Sequence, residues 1–137
     1  MSSPRRILVV DDEPLVCDSV RRMLMAGGHT VQTAGSGDEA LERLESETFD
    51  VVVVDYLMPA MRGDELSEEI KKRNAHQPIV MISSSAELLA ATGRQFSAVD
   101  VVLGKPFQID ELLQTIARVA PEGLPGGSVT GTASSQS

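Results

Sequence analysis

Cysteine is almost absent from this sequence, and histidines and aromatic residues are few. Cys17 is the only cysteine in 137 residues, so no internal disulfide or multi-cysteine metal site can form, and we expect it to be a small residue of a helix. His29 and His76 lie near Gly or Pro in predicted loops, and we expect both at the surface. With no Trp, one Tyr and three Phe, the chain offers few platforms for stacking on bases.

Long apolar runs are also missing. None approaches the roughly 20 residues that span a bilayer, and residues 1–6 precede a strand-like run rather than the apolar core of a signal peptide. The formal net charge of -8 opposes binding to a phosphate backbone, because Lys and Arg supply most of that affinity. We therefore expect a cytoplasmic protein that neither inserts into membranes nor contacts DNA directly.

The sequence does contain an alternation of short apolar runs and segments with helical spacing. Residues 7–10, 51–54, 79–82 and 99–103 are too short for helices and show little alternation, which predicts strands buried on both faces. Residues 30–34 form a weaker fifth strand. Alternating strands and helices are typical of a parallel sheet. The length and the 42% apolar content fit one domain with one core.

Two boundary signals mark the second half of the chain. Ser84 and Glu87 form a capping box for the fourth helix, which we expect to run to about Gln95. The fifth helix should stop at Pro121, because proline does not continue a helix. Residues 121–137 are mostly Gly, Ser, Thr and Pro with little to bury, which predicts a flexible tail.

Residues capable of chemistry lie at the ends of four of the five predicted strands. In an open parallel sheet, ligands bind beyond the carboxyl ends of the strands, so these residues should converge on one edge. They are Asp11 and Asp12 after the first strand, Asp55 after the third, Ser83 after the fourth and Lys105 near the end of the fifth. The sequence therefore predicts a site that combines acids, a hydroxyl and an amine.

The acids of this site predict a bound metal ion. Asp11, Asp12 and Asp55 would repel one another in a partly dry crevice unless they share a cation. All available ligands are oxygens, which favours Mg²⁺. We expect the side chains of Asp12 and Asp55 and the backbone carbonyl of Leu57 to bind it directly, with Asp11 acting through a water.

The same arrangement predicts a phosphoacceptor. Metal charge beside Asp55 and Lys105 across the crevice would stabilise the added negative charge of a phosphoryl group on Asp55. Ser83 can donate a hydrogen bond to that group. Asp55 is therefore the predicted phosphoacceptor, and Ser83 and Lys105 are the residues expected to contact the phosphoryl group.

These residues carry a family resemblance over residues 5–120. The motifs are Asp11-Asp12-Glu13-Pro14, the run from Asp55 to Pro59 followed by Gly63, the strand of residues 78–83, and Lys105-Pro106-Phe107. With them the chain resembles a two-component response-regulator receiver domain of the stand-alone type known from chemotaxis regulators. We therefore expect a receiver domain over residues 1–120.

The resemblance implies a flavodoxin-like fold, a three-layer (βα)5 sandwich with a parallel five-stranded sheet of order 2-1-3-4-5. It implies a signalling switch that receives a phosphoryl group on Asp55 from a histidine kinase or a histidine phosphotransfer protein, with Mg²⁺ as cofactor. It also implies a cis peptide bond before Pro106, which X-Pro bonds tolerate.

Two positions depart from the family pattern. Val102 stands where related domains commonly carry a switching Tyr or Phe, three residues before the lysine. Leu57, two residues after Asp55, offers no polar side chain to orient an attacking water, which predicts at most slow self-dephosphorylation.

The predicted output surface comprises the fourth helix, the fifth strand and the fifth helix, because Ser83 and Lys105 lead directly into them. Glu87, Val102 and Phe107 are its expected members. A chain of this length should act by docking on a downstream protein, whose identity the sequence does not give.

Two other functions compete with a switch. A phosphatase of the haloacid-dehalogenase type also uses a strand-end Asp, Mg²⁺ and a Lys, but it needs a second acid, usually two residues after the nucleophile, where this chain has Leu57. A flavin-binding module needs a Ser-, Thr- or Gly-rich phosphate loop after the first strand, where Val10 is followed by acids. The sequence favours a switch over an enzyme.

Overall fold

The computed structural model describes residues 4–91 and 96–120, and five strands alternate with five helices along these ranges. They are β1 (Arg6–Val10), α1 (Pro14–Ala26), β2 (Thr30–Ala34), α2 (Gly37–Ser46), β3 (Val51–Asp55), α3 (Gly63–Arg73), β4 (Ile79–Ser84), α4 (Ser85–Ala90), β5 (Val101–Lys105) and α5 (Ile109–Val119). The predicted tail, residues 121–137, lies outside the described residues.

The five strands form one parallel sheet in the order β2-β1-β3-β4-β5. All five residues of the central strand β3 are buried, because helices cover both faces of the sheet. The flavodoxin-like fold with strand order 2-1-3-4-5 is thereby confirmed.

Alternate residues of each strand supply two separate apolar cores. Val52 and Val54 face the core that contains Leu41 of α2 and Leu66 of α3. Val51 and Val53 face the opposite core, together with side chains of α1 and α5. A run of four valines therefore serves both faces, since successive side chains of a strand point to opposite sides.

Local signals fix the start of two helices that flank the site. Pro14 occupies the first turn of α1, where its missing N–H costs no hydrogen bond. Ser84 and Glu87 form the predicted capping box of α4: the Ser84 hydroxyl accepts from the Glu87 amide at 3.1 Å, and Glu87 Oε1 accepts from the Ser84 amide at 3.0 Å.

Two predicted boundaries in the second half of the chain differ from the structure. β5 begins at Val101 rather than at residue 99, because the Val99 amide donates to the Phe96 carbonyl at 3.0 Å in a turn; at its other end Lys105 extends the strand by pairing with Ser84. α4 ends at Ala90, and none of its residues is buried, so it lacks an apolar face that would hold a longer helix. The rest of the expected helix, residues 92–95, lies outside the described residues.

His29 is a further correction, because it is buried rather than at the surface. Its Nδ1 accepts a hydrogen bond from the Arg5 amide at 3.0 Å. This contact joins residues that are distant in sequence, so local loop signals do not reveal it. His76 is exposed, as expected. Among residues 4–91 and 96–120, no helix has the length and apolar character needed to cross a bilayer.

Candidate functional site: the carboxyl edge of the sheet

The register of the sheet brings the predicted site residues to one edge. Asp55 is the last residue of β3 and pairs with Ile82 of β4. Ser83 and Lys105 lie on the neighbouring strands β4 and β5, where Ser84 pairs with Lys105. Asp11 directly follows β1. The predicted convergence of acids, hydroxyl and amine is therefore present in the fold.

Three carboxylates form the acidic part of the site. Asp11, Asp12 and Asp55 each offer an oxygen, and these oxygens all lie within 4.8 Å of one another. Asp11 and Asp55 are buried, whereas Asp12 is exposed. Burial raises the pKa of Asp11 to about 6, and the nearby charge of Asp55 adds to this effect. Burial also raises the pKa of Asp55, although Lys105 opposes the shift.

Lys105 supplies the positive charge of the site. Its Nζ lies 2.8 Å from Oδ1 of Asp55. Burial acts to lower the pKa of Lys105, but the Asp55 carboxylate outweighs it, so the pKa is raised and the amine stays protonated. Asp55 Oδ1 is completely buried, and beyond this ion pair no donor from residues 4–91 or 96–120 hydrogen-bonds to it.

This donor set fits Mg²⁺. Three carboxylates share a small volume, and a buried oxygen of Asp55 lacks the hydrogen bonds that a carboxylate usually accepts. Hard oxygen ligands of this kind suit Mg²⁺ with waters completing the coordination. The direct ligand roles of Asp12, Asp55 and the Leu57 carbonyl, and the water-mediated role of Asp11, stay predictions.

Cys17 contacts the loop after β1 that carries Asp11 and Asp12. It lies in α1, as predicted, where it is buried, and its Sγ lies 3.2 Å from the carbonyl oxygen of Asp11. Burial raises the pKa of Cys17 to about 11, so the group remains a thiol that can donate to this carbonyl. The Asp11 side chain is held separately by the amide of Glu13 at 2.9 Å.

Ser83 has a partner that sequence reasoning missed. Its side chain is fully buried, and its Oγ lies 3.1 Å from Oε1 of Glu87. The spacing of four residues across the start of α4 is the sequence signal that could have indicated this contact, because it places the Glu87 carboxylate over the strand end. The Ser83 hydroxyl also lies 3.4 Å from the carbonyl oxygen of Ser84, and the shorter contact with a charged oxygen makes Glu87 its main acceptor.

The loop after β3 contains a second feature that the sequence indicated only as part of a motif. Gly63 starts α3 directly against the strand end, and its amide donates to the Tyr56 carbonyl at 2.8 Å. A Cβ at Gly63 would collide with the backbone carbonyl of Asp55. Glycine is required here because two backbone segments approach each other closely.

The predicted output residues lie on α4, on β5 and in the loop after β5, in different environments. Val102 is 37% exposed and Glu87 is half-buried. Phe107 is half-buried and packs against the core on the α1 and α5 side of the sheet, so much of its ring faces inward. The peptide bond between Lys105 and Pro106 is cis, the isomer that the resemblance implied.

The parallel α/β sheet, with buried acids and a lysine at its carboxyl edge, indicates the protein family to which the chain belongs. The family model of the response regulator receiver domain matches residues 7–117. The chain belongs to this family, whose members act in two-component signalling, are phosphorylated by histidine kinases and bind Mg²⁺ at an acidic pocket. Receiver domains are generally signalling switches rather than enzymes.

Curated and solved relatives agree with this assignment. The chain is 33% identical over 133 residues to the response regulator MprA of Mycolicibacterium vanbaalenii, covering 94% of this chain and 58% of the relative. It is 30% identical over 118 residues to the transcriptional regulatory protein TcrA of Mycobacterium tuberculosis, covering 86% of this chain and 47% of the relative. The chain thus spans about half the length of the curated relatives it matches.

Among solved structures, the response regulator TrrA from Thermotoga maritima in complex with Mg²⁺-BeF is similar to this chain. It is 32% identical with a TM-score of 0.76, and the match covers 84% of this chain and 98% of TrrA.

Proposed function

We propose that this chain accepts a phosphoryl group on Asp55 from a histidine kinase or a histidine phosphotransfer protein, in a Mg²⁺-dependent reaction. The observation that carries the proposal is the environment of Asp55 Oδ1. This buried oxygen ends the central strand, is ion-paired with Lys105 and lies beside the carboxylates of Asp11 and Asp12. The structure of TrrA with Mg²⁺-BeF supports it by similarity.

The proposed step is a displacement at phosphorus. The bond from phosphorus to a histidine ring nitrogen of the donor breaks, and a bond from a carboxylate oxygen of Asp55 forms. The electron pair of the broken bond stays on the imidazole. Lys105 opposes the rise in the Asp55 pKa that burial causes, which favours the ionised form needed for attack, and it then faces the added charge of the phosphoryl group.

Asp12 and Asp55 would hold Mg²⁺ together with the Leu57 carbonyl, and Asp11 would bind through a water. When bound, Mg²⁺ supplies positive charge that offsets the phosphoryl oxygens. The ionised carboxylates of this chain do the binding, and the hydrogen bond from the Glu13 amide orients Asp11 towards the site.

The proposed output is a changed docking surface on α4, β5 and α5. Ser83 belongs to the strand that leads directly into α4, and Lys105 ends β5 just before α5. Leu89 and Val102 of this surface are 75% and 37% exposed, which suits contact with a downstream protein. Since Val102 is not aromatic, the signal needs a route other than rotation of a ring at this position.

Phosphotransfer from purified histidine kinases tests the function. Each kinase is first labelled on its histidine with radioactive ATP and then mixed with this chain and Mg²⁺. We expect at least one kinase of the source organism to lose label rapidly to wild type and not to Asp55→Asn. Equal transfer to Asp55→Asn, or no transfer from any of the kinases, would contradict the proposal.

A further inference from the structure

The Glu87 carboxylate serves two groups at the start of α4. Its Oε1 accepts from the Ser84 amide at 3.0 Å, which is the ordinary bond of a capping box. The same oxygen lies 3.1 Å from the hydroxyl of Ser83, on the strand that borders Asp55. One carboxylate oxygen therefore ties the helix cap to the phosphorylation site.

The chain offers an internal comparison for this arrangement. Glu111 closes a capping box at the start of α5, where its Oε1 accepts from the Gln108 amide at 2.9 Å. Glu65 does the same for the Arg62 amide of α3 at 2.9 Å. Within residues 4–91 and 96–120, Glu87 is the one capping-box carboxylate that also accepts from a strand-end hydroxyl. Capping alone does not explain that second bond.

The Ser83 hydroxyl has a single proton, so it donates to one acceptor at a time. In this structure the nearest acceptor is Glu87 at 3.1 Å, with the Ser84 carbonyl oxygen farther away at 3.4 Å, whereas a phosphoryl group on Asp55 would offer a second anionic acceptor nearby. Glu87 is close enough for its charge to raise the pKa values of both Asp55 and Lys105. A phosphoryl group would therefore compete with Glu87 for the hydroxyl and also repel its carboxylate.

We propose that Glu87 is a positioning residue that holds the Ser83 hydroxyl away from Asp55, and that phosphorylation transfers this hydroxyl from Glu87 to the phosphoryl group. The inference rests on the proposed phosphorylation of Asp55. The Ser83 hydroxyl must leave the Glu87 carboxylate before it can donate to the phosphoryl group. Glu87 therefore opposes the phosphorylated state.

The consequence for α4 follows from its construction. The helix has six residues and none of them is buried, so its start depends strongly on the cap. Loss of the Ser83 bond, together with repulsion from a phosphoryl group, weakens the Glu87 half of the capping box. Phosphorylation thus loosens the start of α4 by a route that needs no aromatic side chain at position 102, where this chain has Val102.

The test measures beryllofluoride affinity in excess Mg²⁺ for wild type, Glu87→Gln, Ser83→Ala and the double variant, by titration followed with amide NMR spectra. Glu87→Gln retains an oxygen for the Ser84 amide but accepts less strongly from Ser83. We expect it to bind roughly fivefold more tightly than wild type, because hydrogen bonds to charged acceptors are about twice as strong as neutral ones. In the Ser83→Ala background most of this gain should disappear.

Glu111→Gln is the matched control, since it makes the same change in the α5 capping box, and it should leave the affinity near the wild-type value. Equal gains with and without Ser83 would mean that Glu87 acts through its charge alone and would overturn the inference. A weaker-binding Glu87→Gln with a native NMR spectrum would also overturn it.

Hydrogen exchange gives a second readout, because beryllofluoride should increase exchange in α4 of wild type and leave the α5 cap unchanged. Unchanged exchange in α4 would contradict the inference.

If wild type does not bind beryllofluoride, or if Asp55→Asn binds it equally well, the proposed function fails along with the inference. If beryllofluoride binding depends on Asp55 but the effects of the Glu87 and Ser83 substitutions on affinity are additive, the proposed function stands and only the inference about Glu87 fails.

Discussion

Lys105 Nζ lies 2.8 Å from Asp55 Oδ1, although their strands are not neighbours in the sheet. β4 runs between β3 and β5, so the lysine reaches across a strand end to the central carboxylate. Ser83 belongs to this intervening strand. Acceptor, hydroxyl and amine thus lie side by side, and the acids of the β1 loop close the site from the other side of β3.

Mg²⁺ should stabilise the folded protein. Millimolar Mg²⁺ is expected to raise the melting temperature of wild type, because it relieves repulsion among three buried or clustered carboxylates and binds only the folded state. Asp12→Ala should reduce this increment, as measured by calorimetry. Asp38→Ala removes an exposed carboxylate from the first turn of α2 and should retain the full increment. An equal increment in Asp12→Ala would show that the ion binds elsewhere.

Mg²⁺ affinity should fall on acidification. Burial raises the pKa of Asp11 to about 6, so its carboxyl is mostly ionised at neutral pH and mostly protonated at pH 5. A proton on Asp11 opposes Mg²⁺, and affinity should therefore drop roughly tenfold between pH 7 and pH 5. Calorimetric titration at both pH values measures this. Asp11→Asn should show weaker binding with a smaller pH dependence, and a wild-type affinity that does not change with pH would contradict the assignment.

Much of the fold follows from local patterns in the sequence. The four valines of β3 have no polar alternation, which predicted a strand covered on both faces, and the strand is buried throughout. Ser84 and Glu87 predicted the start of α4 because a capping box depends only on residues three apart. The strand-end acids and Lys105 were predictable because parallel strands place their carboxyl ends at one edge.

Other features depend on contacts that no local pattern records. His29 is buried because its ring meets the amide of Arg5 from another part of the chain. The Ser83 bond to Glu87 requires a side chain of α4 to fold back over β4, which the cap signal alone does not indicate. The structure ends α4 at Ala90, which the cap signal could not indicate, because a capping box marks only where a helix starts.

Gly63→Ala should destabilise the fold, because a Cβ would meet the backbone of Asp55 and Tyr56, and a backbone cannot rotate away. We expect the free energy of unfolding to fall by about 1–3 kcal/mol, the usual cost of overpacking. Urea denaturation measures the change.

Gly37→Ala is the matched control at the first residue of α2. There the new Cβ would meet the thioether of Met61, a flexible side chain that can move, so the change should be close to neutral. Equal effects of the two substitutions would contradict the close approach at Gly63.

Leu57→Asn should shorten the lifetime of phosphorylated Asp55. Hydrolysis needs a water placed in line behind phosphorus, and polar side chains near the site hold such a water. Leu57 is 57% exposed beside the site and offers no hydrogen bond. Loss of label after removal of the donor, in excess Mg²⁺, gives the lifetime.

Leu15→Asn controls for the loss of an exposed leucine, since Leu15 is 83% exposed at the start of α1. It should leave the lifetime unchanged. If Leu57→Asn loses phosphate no faster than wild type, polar groups elsewhere control the water, and Leu57 is a packing or partner-contact residue.

The identity of the phosphoacceptor is tested most directly by intact mass spectrometry after incubation with acetyl phosphate and Mg²⁺. Wild type should gain the mass of one phosphoryl group, and Asp55→Asn should gain none. Asp64→Asn changes another buried carboxylate, which pairs with Arg62, and should still be labelled. An equal phosphoryl adduct on Asp55→Asn would contradict the assignment of Asp55 as the acceptor.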